Sequence, residues 1–164
     1  MTGQITIRPI RPSDNKAIAH IIRTSLEEHV VARPGTVYTD ESTDHLSDIF
    51  TIPRSIYYII ELDDTIVGGA GIYPTEGLSS DTCELVKMYL TAGVRGRGLG
   101  RALMDQCILF AADQGYKRIY LETMPELKQA IDLYQRTGFS LLSTPMGSSG
   151  HFGCGIWMIK GIQG

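Results

Sequence analysis

Apolar positions along the chain change period several times, and each change predicts an element. Residues Gln4 to Arg8 alternate polar and apolar as a short strand that stops at Pro9. Behind Ser13 or Asp14, either of which suits a helix N-cap, the apolar residues Ala17, Ile18, Ile21, Ile22 and Leu26 recur at steps of three and four, the stripe of an amphipathic helix. The passage 29–44 is polar and turn-prone, and a short amphipathic helix is expected around Glu41 to Phe50. Ser55 to Glu61 and Thr65 to Tyr73 read as two strands of a hairpin joined at Leu62, Asp63 and Asp64. Glycines at 68, 69 and 71 inside the second strand mark a place where something packs closely on the backbone, or a bulge.

The second half is built around one stretch, Leu85 to Ala112. Leu85 to Leu90 is a strand, and a Gly/Arg turn from Gly93 to Gly100 follows it. Leu99, Ala102, Leu103, Cys107, Phe110 and Ala111 then fall on one face of a helix, which Gly115 is placed to end. After that come a strand from Lys117 to Glu122 and a T-x-x-E capping box at Thr123 and Glu126 opening a helix through Arg136. Gly138 stops that helix, Phe139 to Leu142 is a strand, and a loop from Ser143 to Gly155 leads to the last strand, Ile156 to Lys160. Strands precede and follow helices, with one early hairpin, so the class is α/β with a mixed central sheet flanked by helices.

A strand that enters a helix through a glycine turn aims backbone N–H groups and the positive end of the helix dipole at one point, which makes an anion site. Arg95, Arg97 and Arg101 add charge suited to phosphate oxygens. The turn lacks the Gly-Lys-Ser/Thr of a nucleotide-triphosphate loop, and Gly96, Gly98 and Gly100 do not have the G-x-G-x-x-G spacing of a dinucleotide site. At 164 residues, 43% apolar and 20% charged, the chain is the size of one globular domain. A formal charge of −3 argues against nucleic acid as a partner. No apolar run approaches the roughly 18 residues of a membrane span and the N-terminus has no signal-peptide core, so no membrane partner is expected. Cys83, Cys107 and Cys154 form no C-x-x-C and cannot all pair, which fits a reducing, cytoplasmic location.

The turn from Arg95 to Gly100 resembles the R/Q-x-x-G-x-G/A signature of the GNAT (GCN5-related N-acetyltransferase) superfamily. Ala130, Leu133, Tyr134, Gly138 and Phe139 are similar to the A-x-x-L-Y-x-x-x-G-F ending that the same superfamily carries after its next strand. The likeness covers Thr82 to Phe139 well, and the first third of the chain by element order alone. It implies a single domain over 1–164, with a mixed, mostly antiparallel sheet that splays after the fourth strand and holds acetyl-CoA in the split. The resemblance assigns cofactor contacts to Met88, Tyr89 and Leu90 on the strand and to Arg95, Gly96, Arg97, Gly98, Leu99, Gly100 and Arg101 in the turn. It departs at Leu127, where many members carry an Asn that helps hold the cofactor.

Acetyl transfer to an amine needs a base for the amine and a proton for the departing thiolate. Glu84 stands 11 residues before Arg95, the spacing of the catalytic glutamate in the superfamily's histone acetyltransferases; the alternative is a solvated carboxylate at a strand end. Tyr134 is the candidate acid, set against a half-buried structural tyrosine. Cys83 reads as packing, and His151 with Cys154 lacks the second pair a zinc site would need. The acceptor, a small-molecule or peptide primary amine, is expected to meet the loops 29–44, 75–81 and 143–155. Arg33, Tyr38 and His151 are the candidate contacts, with Glu76 and Asp81 suited to a cationic acceptor. Two alternatives stay open, a CoA-sensing module without turnover and transfer of another acyl group, and a homodimer is an option.

Overall fold

The computed structural model describes residues 3–29, 40–149 and 154–162. Its elements run β1 (Ile5–Pro9), α1 (Asn15–Glu28), α2 (Leu46–Ile49), β2 (Ile56–Leu62), β3 (Thr65–Tyr73), β4 (Thr82–Leu90), α3 (Leu99–Asp113), β5 (Arg118–Thr123), α4 (Lys128–Arg136), β6 (Ser140–Leu142) and β7 (Ile156–Gly161). The strands form one sheet in the order β1-β2-β3-β4-β5-β7-β6. Neighbours are antiparallel except β4 and β5, which run parallel.

Alternation along the central strands divides the core between two faces. Tyr57 and Ile59 of β2 join Ile18, Ile22 and Leu26 of α1 and Leu46 of α2 on one face. Tyr58 and Ile60 turn to the other face, against Leu99, Leu103, Met104 and Cys107 of α3. The helix stripe of α1 is shifted from expectation: Ala17 is exposed, whereas Ala19 and Ser25 are buried. The expected helix over 41–50 is a 3-10 turn, Glu41–Asp44, followed by the single turn of α2, because Asp40 caps the Ser42 N–H and starts a separate element.

Two expectations about strand and helix boundaries fail. β4 begins at Thr82, since Thr82, Cys83 and Glu84 all pair with β5. Thr123 and Glu126 do not form a capping box: Thr123 is the last residue of β5, opposite Ile156, and α4 opens at Lys128 behind Leu127. Pro125 disfavours helical backbone at Met124, whose side chain is buried in the core instead.

The glycines of β3 serve close approach. A Cβ on Gly69 or Gly71 would lie 2.5 Å or 2.7 Å from the Tyr57 ring. Opposite them β4 bulges: Gly69 pairs with Tyr89 and Gly71 with Val86, so Lys87 and Met88 face the single residue Ala70. Lys87 adopts φ 52°, and its carbonyl accepts a 2.7 Å hydrogen bond from the Tyr57 hydroxyl. The bulge inverts the alternation. Cys83 and Leu85 before it and Met88 and Leu90 after it all pack toward α3, while Tyr89 packs toward α1.

The first helix is anchored by charge. Asp14, 3% exposed, accepts from Arg8 at 2.8 and 3.0 Å and from the Arg11 N–H at 2.8 Å, while Arg8 also reaches Glu61 at 3.2 Å. The hydrogen bonds from Arg8 hold the Asp14 carboxyl below its usual range. A depressed carboxyl stabilises the fold above the unfolded-state pKa, and that contribution is lost as pH falls through the folded value. Asp14→Asn should therefore cost about 2 kcal/mol at neutral pH. Its denaturation midpoint should also fall less steeply than wild type below about pH 4. Parallel pH profiles for the two proteins in urea titrations would show that the pair carries no such stability.

Candidate active site

β4 and β5 pair only from Thr82 to Glu84 against Arg118 to Tyr120. Beyond Glu84 the two strands part, and β5 takes its other partner, β7, along its whole length. A cavity of about 670 Å³ occupies the split. Its walls are β4 from Glu84 to Leu90, the end of β5 from Leu121 to Thr123, the glycine turn before α3, and α4. On this side of β4 the backbone groups past Glu84 have no β5 partner, and apart from the Leu90 carbonyl, which Ser25 and Arg95 engage, an extended ligand can bond there as a strand would.

The turn borders one end of the cavity. Gly96 and Gly98 adopt φ 78° and 82°, a region that residues with a Cβ rarely enter, and Gly98 caps the fifteen-residue helix α3. A Cβ on either would meet nothing within 4 Å, so the main chain itself borders open space where an anion can approach. Gly100 has another job, because a Cβ there would sit 3.2 Å from Leu133 of α4. The donor set suits the pyrophosphate of coenzyme A.

The other turn residues divide by role. Arg95 lines the cavity, but its guanidinium is bonded to the Leu90 carbonyl at 2.8 Å, Ser25 at 3.0 Å and Glu28 at 2.9 Å. It braces the turn against α1. Arg101 lies at the rim, exposed and paired with Asp105 at 3.1 Å. Arg97 is exposed and Leu99 is 2% exposed in the core, and neither lines the cavity. Leu127 borders the cavity with an apolar side chain.

Glu84 and Tyr134 reach the same space from opposite directions. Glu84 is 3% exposed, at the last β4 residue paired with β5, and its Oε1 accepts a 2.6 Å hydrogen bond from the Thr75 hydroxyl. Tyr134 is 6% exposed on α4, its ring 5.8 Å from that of Phe139. Burial holds its phenol, and that of neighbouring Tyr89, far above the usual value, so both stay protonated at any physiological pH. Cys83 is fully buried against the Arg118 carbonyl, and burial pushes its thiol up to about 12, which leaves it inert.

Three polar residues of the site escaped the sequence reading. Glu122 lines the cavity from β5 and accepts from the hydroxyls of Tyr120 and Ser149. Thr75 orients Glu84 across a gap of nine residues. Lys87 lines the cavity with a side chain only 7% exposed, which follows from the bulge and is invisible to a period-two reading. Glu76 and Asp81 do not line the cavity, and Asp81 is engaged by Arg118 at 3.3 Å and by Ser79. Arg33, Tyr38 and His151 lie outside the described residues. Cys154 is described and borders the cavity.

Comparison with known proteins agrees with this geometry. The Acetyltransferase (GNAT) family model matches residues 18–139. The chain is 38% identical over 155 residues to the uncharacterized N-acetyltransferase YjgM of Escherichia coli K12, covering 94% of this chain and 93% of that protein. It is similar in fold to an acetyltransferase of GNAT family from Staphylococcus aureus Mu50, with a TM-score of 0.81 and 18% identity over 98% of this chain and all of that one. PaiA N-acetyltransferase from Thermoplasma acidophilum, solved in complex with coenzyme A, gives a TM-score of 0.75 at 16% identity over 96% of this chain and 98% of that one. A split β4–β5 pair, an open glycine cradle at a helix start and a family match over most of the chain lead to one conclusion: the protein belongs to the GNAT family of acetyltransferases, with acetyl-CoA as donor for N-acetyl transfer.

Proposed function

We propose that the enzyme acetylates a primary amine that enters from the α1/α2 side of the split, with Glu84 as base and Tyr134 as acid. The observation that supports this most is that both residues line one cavity, with Glu84 at the last β4 position paired with β5. Bound acetyl-CoA supplies the activated acyl group as a thioester. Gly96, Gly98 and the first turn of α3 would hold its pyrophosphate, and the β4 backbone from Met88 to Leu90 would offer N–H groups to the acyl oxygen. Arg95 supports that cradle indirectly by fixing the turn to α1. Leu127 replaces a polar contact with an apolar one.

An alkylamine is mostly protonated at neutral pH, with a pKa near about 10.4, so it must lose a proton before it can attack. Glu84 is placed to take that proton, and Thr75 fixes the direction of its carboxylate. Burial keeps Tyr134 protonated, so its hydroxyl can hydrogen-bond to sulfur where negative charge develops and pass on its proton only as that charge builds. Glu122, whose two oxygens accept from the hydroxyls of Tyr120 and Ser149, is assigned a structural part in the cavity wall. Uncombined thiols at Cys83, Cys107 and Cys154 favour a reducing compartment, and the cytoplasm is the proposed location.

Gly98→Val should abolish acetyl-CoA binding, because valine strains a backbone at φ 82° and fills the open side of the cradle. Arg95→Ala should weaken binding only modestly. Calorimetry on folded variants checks this, and normal affinity in Gly98→Val would remove the cradle from its assigned role.

Glu84→Gln should lower kcat by about two to four orders of magnitude, with part of the loss recovered as pH rises and more amine is neutral. Glu122→Gln should keep most of the activity. A mutant-to-wild-type rate ratio that stays flat from neutral to alkaline pH, or a larger loss from the Glu122 change, would contradict Glu84 as base. Tyr134→Phe should lower kcat at least about tenfold while acetyl-CoA affinity holds. An unchanged kcat would leave Tyr134 as packing.

A further inference from the structure

Lys87 carries a charge into a place where a strand ordinarily carries none. It lines the cavity with its side chain 7% exposed, and its backbone is held at φ 52°, a costly conformation for a residue with a Cβ. The β4 bulge explains its direction. Strict alternation would send Lys87 toward α3 with Cys83 and Leu85, but the inverted parity sends Met88 and Leu90 there instead. Lys87 meets Asp40, on the α1/α2 side of the sheet, and interacts with the charge of Glu84.

A buried ammonium is expensive, and burial lowers the Lys87 pKa while Asp40 and Glu84 work against that shift. Its ion pair with Asp40 spans 3.8 Å, longer than the roughly 2.7–2.9 Å of a charge-assisted hydrogen bond. An ammonium has several N–H donors, and this pairing leaves capacity for another anion. Glu84 lines the same cavity, so the stretch of β4 at the split presents a carboxylate and an ammonium three residues apart. A molecule that carries both an amine and a carboxylate complements the pair.

We propose that Lys87 binds the carboxylate of a zwitterionic acceptor, a free amino acid or close analogue, and so turns the amine of that acceptor toward Glu84. The proposal rests on Glu84 as the base and adds the chemical class of the acceptor. It replaces the expectation that Glu76 and Asp81 select a cationic acceptor, since neither reaches the cavity. Lys87 is a specificity residue on this view, and Asp40 positions its head group.

The test compares L-amino acids with their amides, which keep the amine and side chain but lose the carboxylate, at equal concentrations of neutral amine. Wild type should prefer the acids by at least about tenfold in kcat/KM. Lys87→Met should reduce that preference to under about threefold, mainly through the acceptor KM, with the acetyl-CoA KM little changed. Lys87→Arg should retain part of the preference. Wild-type preference for the amides, or an equal loss on both acceptor sets in Lys87→Met, overturns the proposal. If Lys87→Met does not fold, Lys87→Gln takes its place. Failure of the Glu84 reading looks different: Glu84→Gln would keep its rate while the acid-over-amide preference persisted. If no amine in the panel releases thiol, calorimetry of L-amino acids and their amides with the CoA-bound protein decides. Equal binding of acid and amide, or none, then overturns the proposal, and acid-selective binding lost in Lys87→Met upholds it.

Discussion

Everything at the active centre depends on how briefly β4 and β5 stay together. Their parallel pairing lasts from Thr82 to Glu84, and from there each strand follows a different neighbour. Main-chain groups that a continuous sheet would satisfy are thereby presented to a cavity. The parallel step matters too, because it places α3 and its glycine turn between β4 and β5 in sequence, at the very end where the strands diverge. One constraint thus supplies a slot for an extended ligand, a glycine turn and helix start at its mouth, and a carboxylate at its apex.

The bulge in β4 is the second determinant, and it is held by the chain around it. Gly69 and Gly71 let the Tyr57 ring lie on β3, and the Tyr57 hydroxyl then bonds the Lys87 carbonyl. That contact supports a left-handed lysine which an unaided strand would not keep. Once parity is inverted, Met88 and Leu90 seal the α3 side while Lys87 and Tyr89 serve the other face. A glycine run in one strand therefore decides which charges of the next reach the cavity.

Much of this was legible because it is local. The glycine turn, the hairpin at Asp63 and Asp64 and the stop at Gly138 follow from short-range rules and are present, and the stripe of α3 is present with Met104 buried in addition while Ala102 and Phe110 are half-buried. The split itself came through resemblance, since no periodicity reports where two strands separate. Readings failed where a distant partner outweighed the local signal. Thr123 and Glu126 fit a capping box on paper, but pairing of Thr123 with Ile156 extends the strand through that point. Arg95 lines the cavity, and Ser25 and Glu28, about seventy positions earlier, also hold it, a link that no local pattern shows. Lys87 and Glu122 were missed because a bulge and a splayed strand end determine their exposure to the cavity, and neither leaves a mark in the pattern.

The most direct test of the split as the reaction site is amide hydrogen exchange with and without coenzyme A. Slower exchange is expected on binding in 86–90 of β4 and 96–100 of the turn, with β1 and the β2–β3 hairpin tip unchanged. Protection confined to the edge strands or to the outer face of α3, with 86–90 unaffected, would contradict the claim that the parting of β4 from β5 makes the site.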